Sequence, residues 1–95
     1  MAAYVVANIE VIDKERYENY KQMSLASIQP FGGRFIVRGA PTETLEGDWT
    51  PNRFVVIEFP TLEKAKAWWS SAEYAPAKKL RQETARSQMI VVDGV

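Results

Sequence analysis

Two groups of side chains in this sequence could do chemistry. Glu46-Gly47-Asp48-Trp49 places two carboxylates beside an indole. Paired carboxylates act as general acid and base when one of them is desolvated, whereas an acidic turn left in water does no more than solvate a loop. Asn8, Arg38 and Glu58 form the second group, each set among β-branched and aromatic residues. Arginine presents a planar fork that grips a carboxylate through two hydrogen bonds, so Arg38 would orient an anion while Glu58 or Asn8 helps to move a proton. A structural ion pair between Arg38 and Glu58 is the simpler reading of the two. Arg34 and Arg53 carry the same fork, and Tyr4, Tyr17, Tyr20 and Tyr74 supply phenols. Trp68, beside Trp69, is the remaining candidate for a pocket edge. The ligand-binding candidates are therefore Asn8, Arg38, Glu46, Trp49, Glu58 and Trp68, with no residue assigned a catalytic role.

The absences narrow the options further. Among 95 residues there is no His and no Cys. That removes imidazole shuttles, Ser–His and Cys–His nucleophiles, thiolate chemistry, disulfides and sulfur-ligated metals. No phosphate-cradling glycine loop, nucleophile elbow or calcium-loop spacing occurs, and no metal or cofactor is expected. Twelve Lys and Arg balance twelve Asp and Glu, so the basic footprint that nucleic-acid binding needs is missing. Lys78, Lys79, Arg81 and Arg86 make a mildly basic stretch, but Gln82 and Glu83 interleave with them and a solvated helix face is the simpler reading. No apolar run approaches the roughly 18 residues needed to span a bilayer, and the N-terminus has no basic region before its apolar run. A cytoplasmic location with no membrane partner is the default expectation.

The elements that would position these residues follow from periodicity and punctuation. Tyr4 to Val11 reads as a strand ending at an Asp13 helix cap, with Glu15 favourably placed in the first turn. The helix puts Tyr17, Tyr20, Met23 or Ser24, and Ser27 or Ile28 on one stripe and stops near Gln29, before Pro30. Gly32-Gly33 permits a reversal into the strand Arg34–Arg38, and Arg53–Phe59 forms a third strand. Between them, residues 39–52 are too many for a tight turn, and Trp49 with Pro51 suits the closing of a cavity mouth. Pro60-Thr61 caps a second helix with Leu62, Ala65 and Trp69 inward, Ser70-Ser71 interrupts it, and Ala77, Leu80 and Thr84 continue its inner stripe. Adjacent helical residues point about 100° apart, so Trp69 in the core leaves Trp68 at its edge. Met89–Val92 is the last strand. The predicted order is βαββαβ: one α+β, ferredoxin-like domain over residues 1–95, a four-stranded antiparallel sheet with its helices on one face.

Helices can cover only one face of that sheet. Val5, Ala7, Ile9 and Val11 would face them, as would Phe35, Val37, Val55, Ile57 and Phe59. The opposite face would hold Tyr4, Val6, Asn8, Glu10, Arg34, Ile36, Arg38, Phe54, Val56 and Glu58. It is too apolar to leave in water, and a second copy of the chain is the simplest cover. A homodimer joined through this face is expected, with its polar residues lining or rimming an enclosed space.

Gly32-Gly33-Arg34-Phe35-Ile36-Val37-Arg38-Gly39, Leu45-Glu46-Gly47-Asp48-Trp49, Arg53 to Pro60 and Ala67 to Tyr74 together resemble the hallmark segments of the domain-of-unknown-function 1330 family. The resemblance runs from Tyr4 to Val95. It implies a dimeric α+β barrel of the group that includes small cofactor-free monooxygenases, muconolactone isomerase-like enzymes and stress-related barrel proteins. It implies no particular reaction. Phe31 stands where a common family variant carries a His before the Gly-Gly pair, which argues against imidazole-based chemistry borrowed from relatives.

Two functions then compete. One is a cofactor-independent enzyme or metabolite-binding protein whose pocket lies between helices and sheet or at the dimer barrel, taking a small aromatic or carboxylated metabolite. The other is a non-catalytic homodimeric binding or scaffold module whose polar residues satisfy one another.

Overall fold

The computed structural model describes all 95 residues. Alternation of apolar residues builds strand β1, Ala3–Val11, whose odd-numbered side chains from Ala3 to Ile9 are buried. Asp13 then caps α1, Lys14–Ile28, accepting a hydrogen bond from the Arg16 amide at 3.2 Å. Pro30 sits in a short 3-10 turn, Gln29–Phe31, that ends on Gly32 at φ 74°, where the absence of a Cβ lets the chain reverse. Strands β2, Arg34–Arg38, and β3, Arg53–Phe59, follow. Thr61 caps α2, Leu62–Trp69, and Pro76 lies in the first turn of α3, Ala75–Thr84, where a missing amide costs least. Strand β4, Ala85–Asp93, opens at Ala85 rather than at Met89.

The strands form one antiparallel sheet in the order β2-β3-β1-β4, with α1, α2 and α3 on one face, so the fold is α+β and ferredoxin-like, as the pattern predicts. Register lines the side chains up in rows. Phe35, Ile57, Val5 and Val91 make one row beneath the helices, and Arg38, Val55, Ala7 and Met89 the next. On the open face Val37, Val56, Val6 and Ile90 run straight across all four strands. No helix is long and apolar enough to cross a membrane.

Three sequence expectations are corrected. The first concerns β2, where a bulge falls between the pairs Phe35–Ile57 and Val37–Val56 and leaves Ile36 as an extra residue. An extra residue reverses the alternation beyond it. Val37 therefore turns to the open face and Arg38, opposite Val55, to the helix face. The second concerns the tryptophan pair. Trp68 is fully buried while Trp69 is 45% exposed, because α2 turns Ala65 and Trp68 inward. Trp68 Nε1 donates to Ser27 Oγ at 3.0 Å, and its ring lies 4.0 Å from that of Tyr74 and 5.5 Å from that of Phe59. It is a core residue with its polar atom satisfied, not a pocket edge. The third concerns α3, where Arg81 rather than Leu80 is the residue fully turned in.

Candidate functional site

The bulge divides the expected site. Arg38 lies under the helices, whereas Asn8 and Glu58 stay on the open face, so Arg38 and Glu58 form no pair. Glu58 is instead held by Arg34, whose Nε donates to Oε1 at 2.7 Å, and by the Tyr4 hydroxyl, which donates to Oε2 at 3.3 Å. The hydrogen bond from Arg34 holds the Glu58 carboxyl below its ordinary range, against a smaller opposing effect of desolvation. Asn8 Oδ1 accepts the Asn52 amide at 2.8 Å and so pins the end of the long loop.

Glu46 and Trp49 belong to that loop. Thr44 Oγ1 donates to the Trp49 carbonyl at 2.8 Å, closing its tip, and the Trp49 ring meets Phe54 edge-on at 6.1 Å. Phe54 pairs with Asn8 on the open face. Trp49 thus caps the rim of the open face rather than the mouth of an interior cavity, and it remains 60% exposed. Glu46 and Asp48 are exposed, and no three carboxylates in the chain converge on a point that would hold a metal ion.

Polar groups do converge on the other side of the sheet. A cavity between α1 and the sheet is lined by 13 residues, among them Tyr17, Tyr20, Ser24, Phe35, Arg38 and Arg53. Its volume is ≈ 20 Å³, room for about one water molecule. Arg38 lays its guanidinium 4.1 Å above the Phe35 ring and donates from Nη2 to the Lys21 carbonyl at 2.6 Å, strapping β2 to α1. Arg53 starts β3 opposite Ile9 and carries its guanidinium 5.8 Å from the centre of the Tyr17 ring.

From the wall of this cavity the phenols form a chain that runs back to Tyr74. The Tyr17 and Tyr20 rings are 5.1 Å apart, and the Tyr20 and Tyr74 hydroxyls share a hydrogen bond of 2.8 Å. Burial, reinforced by Tyr20, pushes the Tyr17 phenol up to about 12, although Arg53 opposes the shift. Burial also pushes the Tyr74 phenol up, with Tyr20 adding to it. Tyr17 and Tyr74 are therefore neutral donors at physiological pH and not phenolates.

Of the six candidates, only Arg38 touches the interior cavity. The sequence gives Arg53, Tyr17 and Tyr20 no more than general roles, yet it carries one signal. Alternation along β3 already places Arg53 on the side of Val55, Ile57 and Phe59.

A family model described as "Domain of unknown function (DUF1330)" matches residues 2–95. The chain belongs to the DUF1330 family. No curated protein matches this DUF1330 chain. Among solved structures, a protein of unknown function from Rhodopseudomonas palustris superposes with a TM-score of 0.77 at 18% identity, covering 99% of this chain and 82% of that one. A dimeric ferredoxin-like protein of unknown function from Jannaschia sp. CCS1 gives a TM-score of 0.73 at 10% identity, over 99% and 100% of the two chains. SnoaB, a cofactor-independent oxygenase from Streptomyces nogalater, gives 0.69 at 12% identity, over 99% and 93%. At such identities the likeness is one of fold, and it agrees with the βαββαβ order of the DUF1330 chain.

Proposed function

We propose that this DUF1330 chain is a homodimeric small-molecule protein of a single domain, with one ligand pocket per protomer between α1 and the sheet. The observation that carries the reading is the lining of the interior cavity, where Tyr17, Tyr20, Arg38 and Arg53 replace the aliphatic side chains that stability alone would favour. A neutral Tyr17 beside a guanidinium can donate a proton or hold a developing negative charge. Because the chain has no imidazole or thiol, cofactor-independent chemistry at this site would use these groups. The fold likeness to SnoaB supports the enzymatic form of the reading.

The dimer is supported by the open face. Ile36, Ile90 and Val92 are 43%, 63% and 46% exposed there, and neighbours of the same fold are described as dimeric. The loop tip at Trp49, resting on Phe54, would border the interface.

One observation favours the non-catalytic alternative. The ≈ 20 Å³ void is far below the roughly 300–1,000 Å³ of ordinary ligand pockets, so binding inside it requires α1 to move away from the sheet. A thermal-shift screen against small metabolites, run with sedimentation analysis of the same sample, separates the two. A dimer stabilised by a compound that also perturbs the resonances of Tyr17 and Arg53 is the expected result. A dimer that no compound stabilises is a scaffold, and a monomer removes the interface as well.

A further inference from the structure

Building on the pocket proposed above, we infer that its outer mouth, between α1, β2 and β3, binds the carboxylate of a small organic acid between the guanidinium groups of Arg53 and Arg38. Beyond the water-sized void the crevice opens into a hollow of ≈ 300 Å³, walled in part by Val11, Tyr17, Lys21, Gly39 and Arg53. A second hollow of ≈ 420 Å³ shares Glu18, Lys21 and Arg53 with the first and adds Arg38. Together they are rimmed by Lys14, Lys21, Arg38 and Arg53 against a single carboxylate, Glu18. Lys21 already engages that carboxylate at 2.7 Å, and this hydrogen bond holds the Glu18 carboxyl below its ordinary range.

Both guanidinium groups are left short of partners. Neither Arg38 nor Arg53 has a carboxylate within ion-pair distance. Arg53 Nε is sealed from solvent and donates to nothing, while Arg38 uses one N–H on the Lys21 carbonyl. The Arg53 Nη groups are not sealed in this way and have no side-chain hydrogen bond, so a carboxylate in the hollow meets them as charge-assisted bonds and strengthens the field around the orphaned Nε. The backbone makes room for the arrangement. Gly39 has φ +76°, and a Cβ there would collide with the Arg53 guanidinium, so this side chain lies directly against a glycine. The hollow beside Tyr17 is at the low end of the size range of ligand pockets, which fits an acid with one ring.

The test compares benzoate with benzamide, its neutral isostere, by NMR titration of the wild-type protein. Benzoate is expected to shift the Arg53 Nε–H and the Gly39 amide and to bind at least about tenfold more tightly than benzamide, a preference that Arg53→Gln largely abolishes and Arg38→Gln weakens. Equal affinities for the two probes, or unchanged benzoate affinity in R53Q, overturn the carboxylate site. If benzamide alone moves the Ile57 and Met89 methyl groups, the pocket stands and its anion preference falls. If neither probe moves any of these groups, both readings fall. The comparison on wild-type protein decides the matter even if R53Q fails to fold.

Discussion

Arg34 Nε donates to Glu58 Oε1 across 2.7 Å on the open face of the sheet, while Arg38, four residues further along the same strand, points to the opposite side. A single extra residue at Ile36 separates their fates. The ion pair gives the first prediction. A carboxyl held below its ordinary value of 4.5 in the folded state stabilises the fold at pH values above that figure. The contribution fades as pH falls from there through the lowered folded value, because the protonated carboxyl no longer binds Arg34. Glu58→Gln should therefore lower the urea midpoint near about pH 7 and have less effect near about pH 3.5. An equal loss at both values would assign the effect to packing rather than charge.

The tryptophan pair distinguishes burial from sequence neighbourhood. Trp68→Ala empties a fully buried site and removes the bond to Ser27, which should cost about 3–5 kcal/mol. Trp69 covers the Lys78 ammonium, 3.9 Å from its ring centre, at an exposed position. Trp69→Ala should cost under about 1 kcal/mol. Denaturant unfolding of the two variants measures the contrast, and similar losses would put both rings in the core.

Tyr20 and Tyr74 can be tested as a pair. Their hydroxyls are each other's buried partner at 2.8 Å, so Tyr20→Phe or Tyr74→Phe leaves one of them without its bond. Each single change should cost about 1–2 kcal/mol, and the double change less than the sum, with a coupling of about 1 kcal/mol. Additive losses in a double-mutant cycle would mean that the hydroxyls do not depend on each other.

These contrasts also mark what could be read from the sequence. Period-two alternation identified β1 and β3 and both of their faces, because nothing interrupts either strand. In β2 the same rule breaks after Ile36, since a bulge leaves no mark in the run Phe35-Ile36-Val37, where every residue suits a strand. The failure carried Arg38 to the wrong face and so created a false pair with Glu58. Trp68 and Trp69 trade places for a related reason. On α2 the stripes through Leu62, Ala65 and Trp69 and through Ala65 and Trp68 differ by one position, and tertiary contacts separate them: the packing of Trp68 on Tyr74 and Phe59 and the reach of its Nε1 to Ser27. Arg53 was legible in position but not in role, because the isolation of its Nε depends on Gly39 and α1 closing around it.

The row Val37, Val56, Val6 and Ile90 yields the last prediction. It crosses all four strands on the face that no helix covers, and it adjoins the row containing Tyr4, Glu58 and Arg34. A carboxylate at Val56 would be half-exposed in a free protomer and could keep its water. Between two sheets it would be desolvated among apolar side chains with no partner, and an unpaired charge in such a place costs several kcal/mol. Val56→Glu should therefore abolish the proposed dimer while leaving the protomer folded, with its core row of Val55, Ala7 and Met89 intact. Sedimentation equilibrium should show the monomer mass for V56E and the dimer mass for the wild type, whose melting temperature should also rise with protein concentration. A V56E protein that still sediments as a dimer would place the interface elsewhere, on the β4 edge or the helical side, and would leave the open face without its partner.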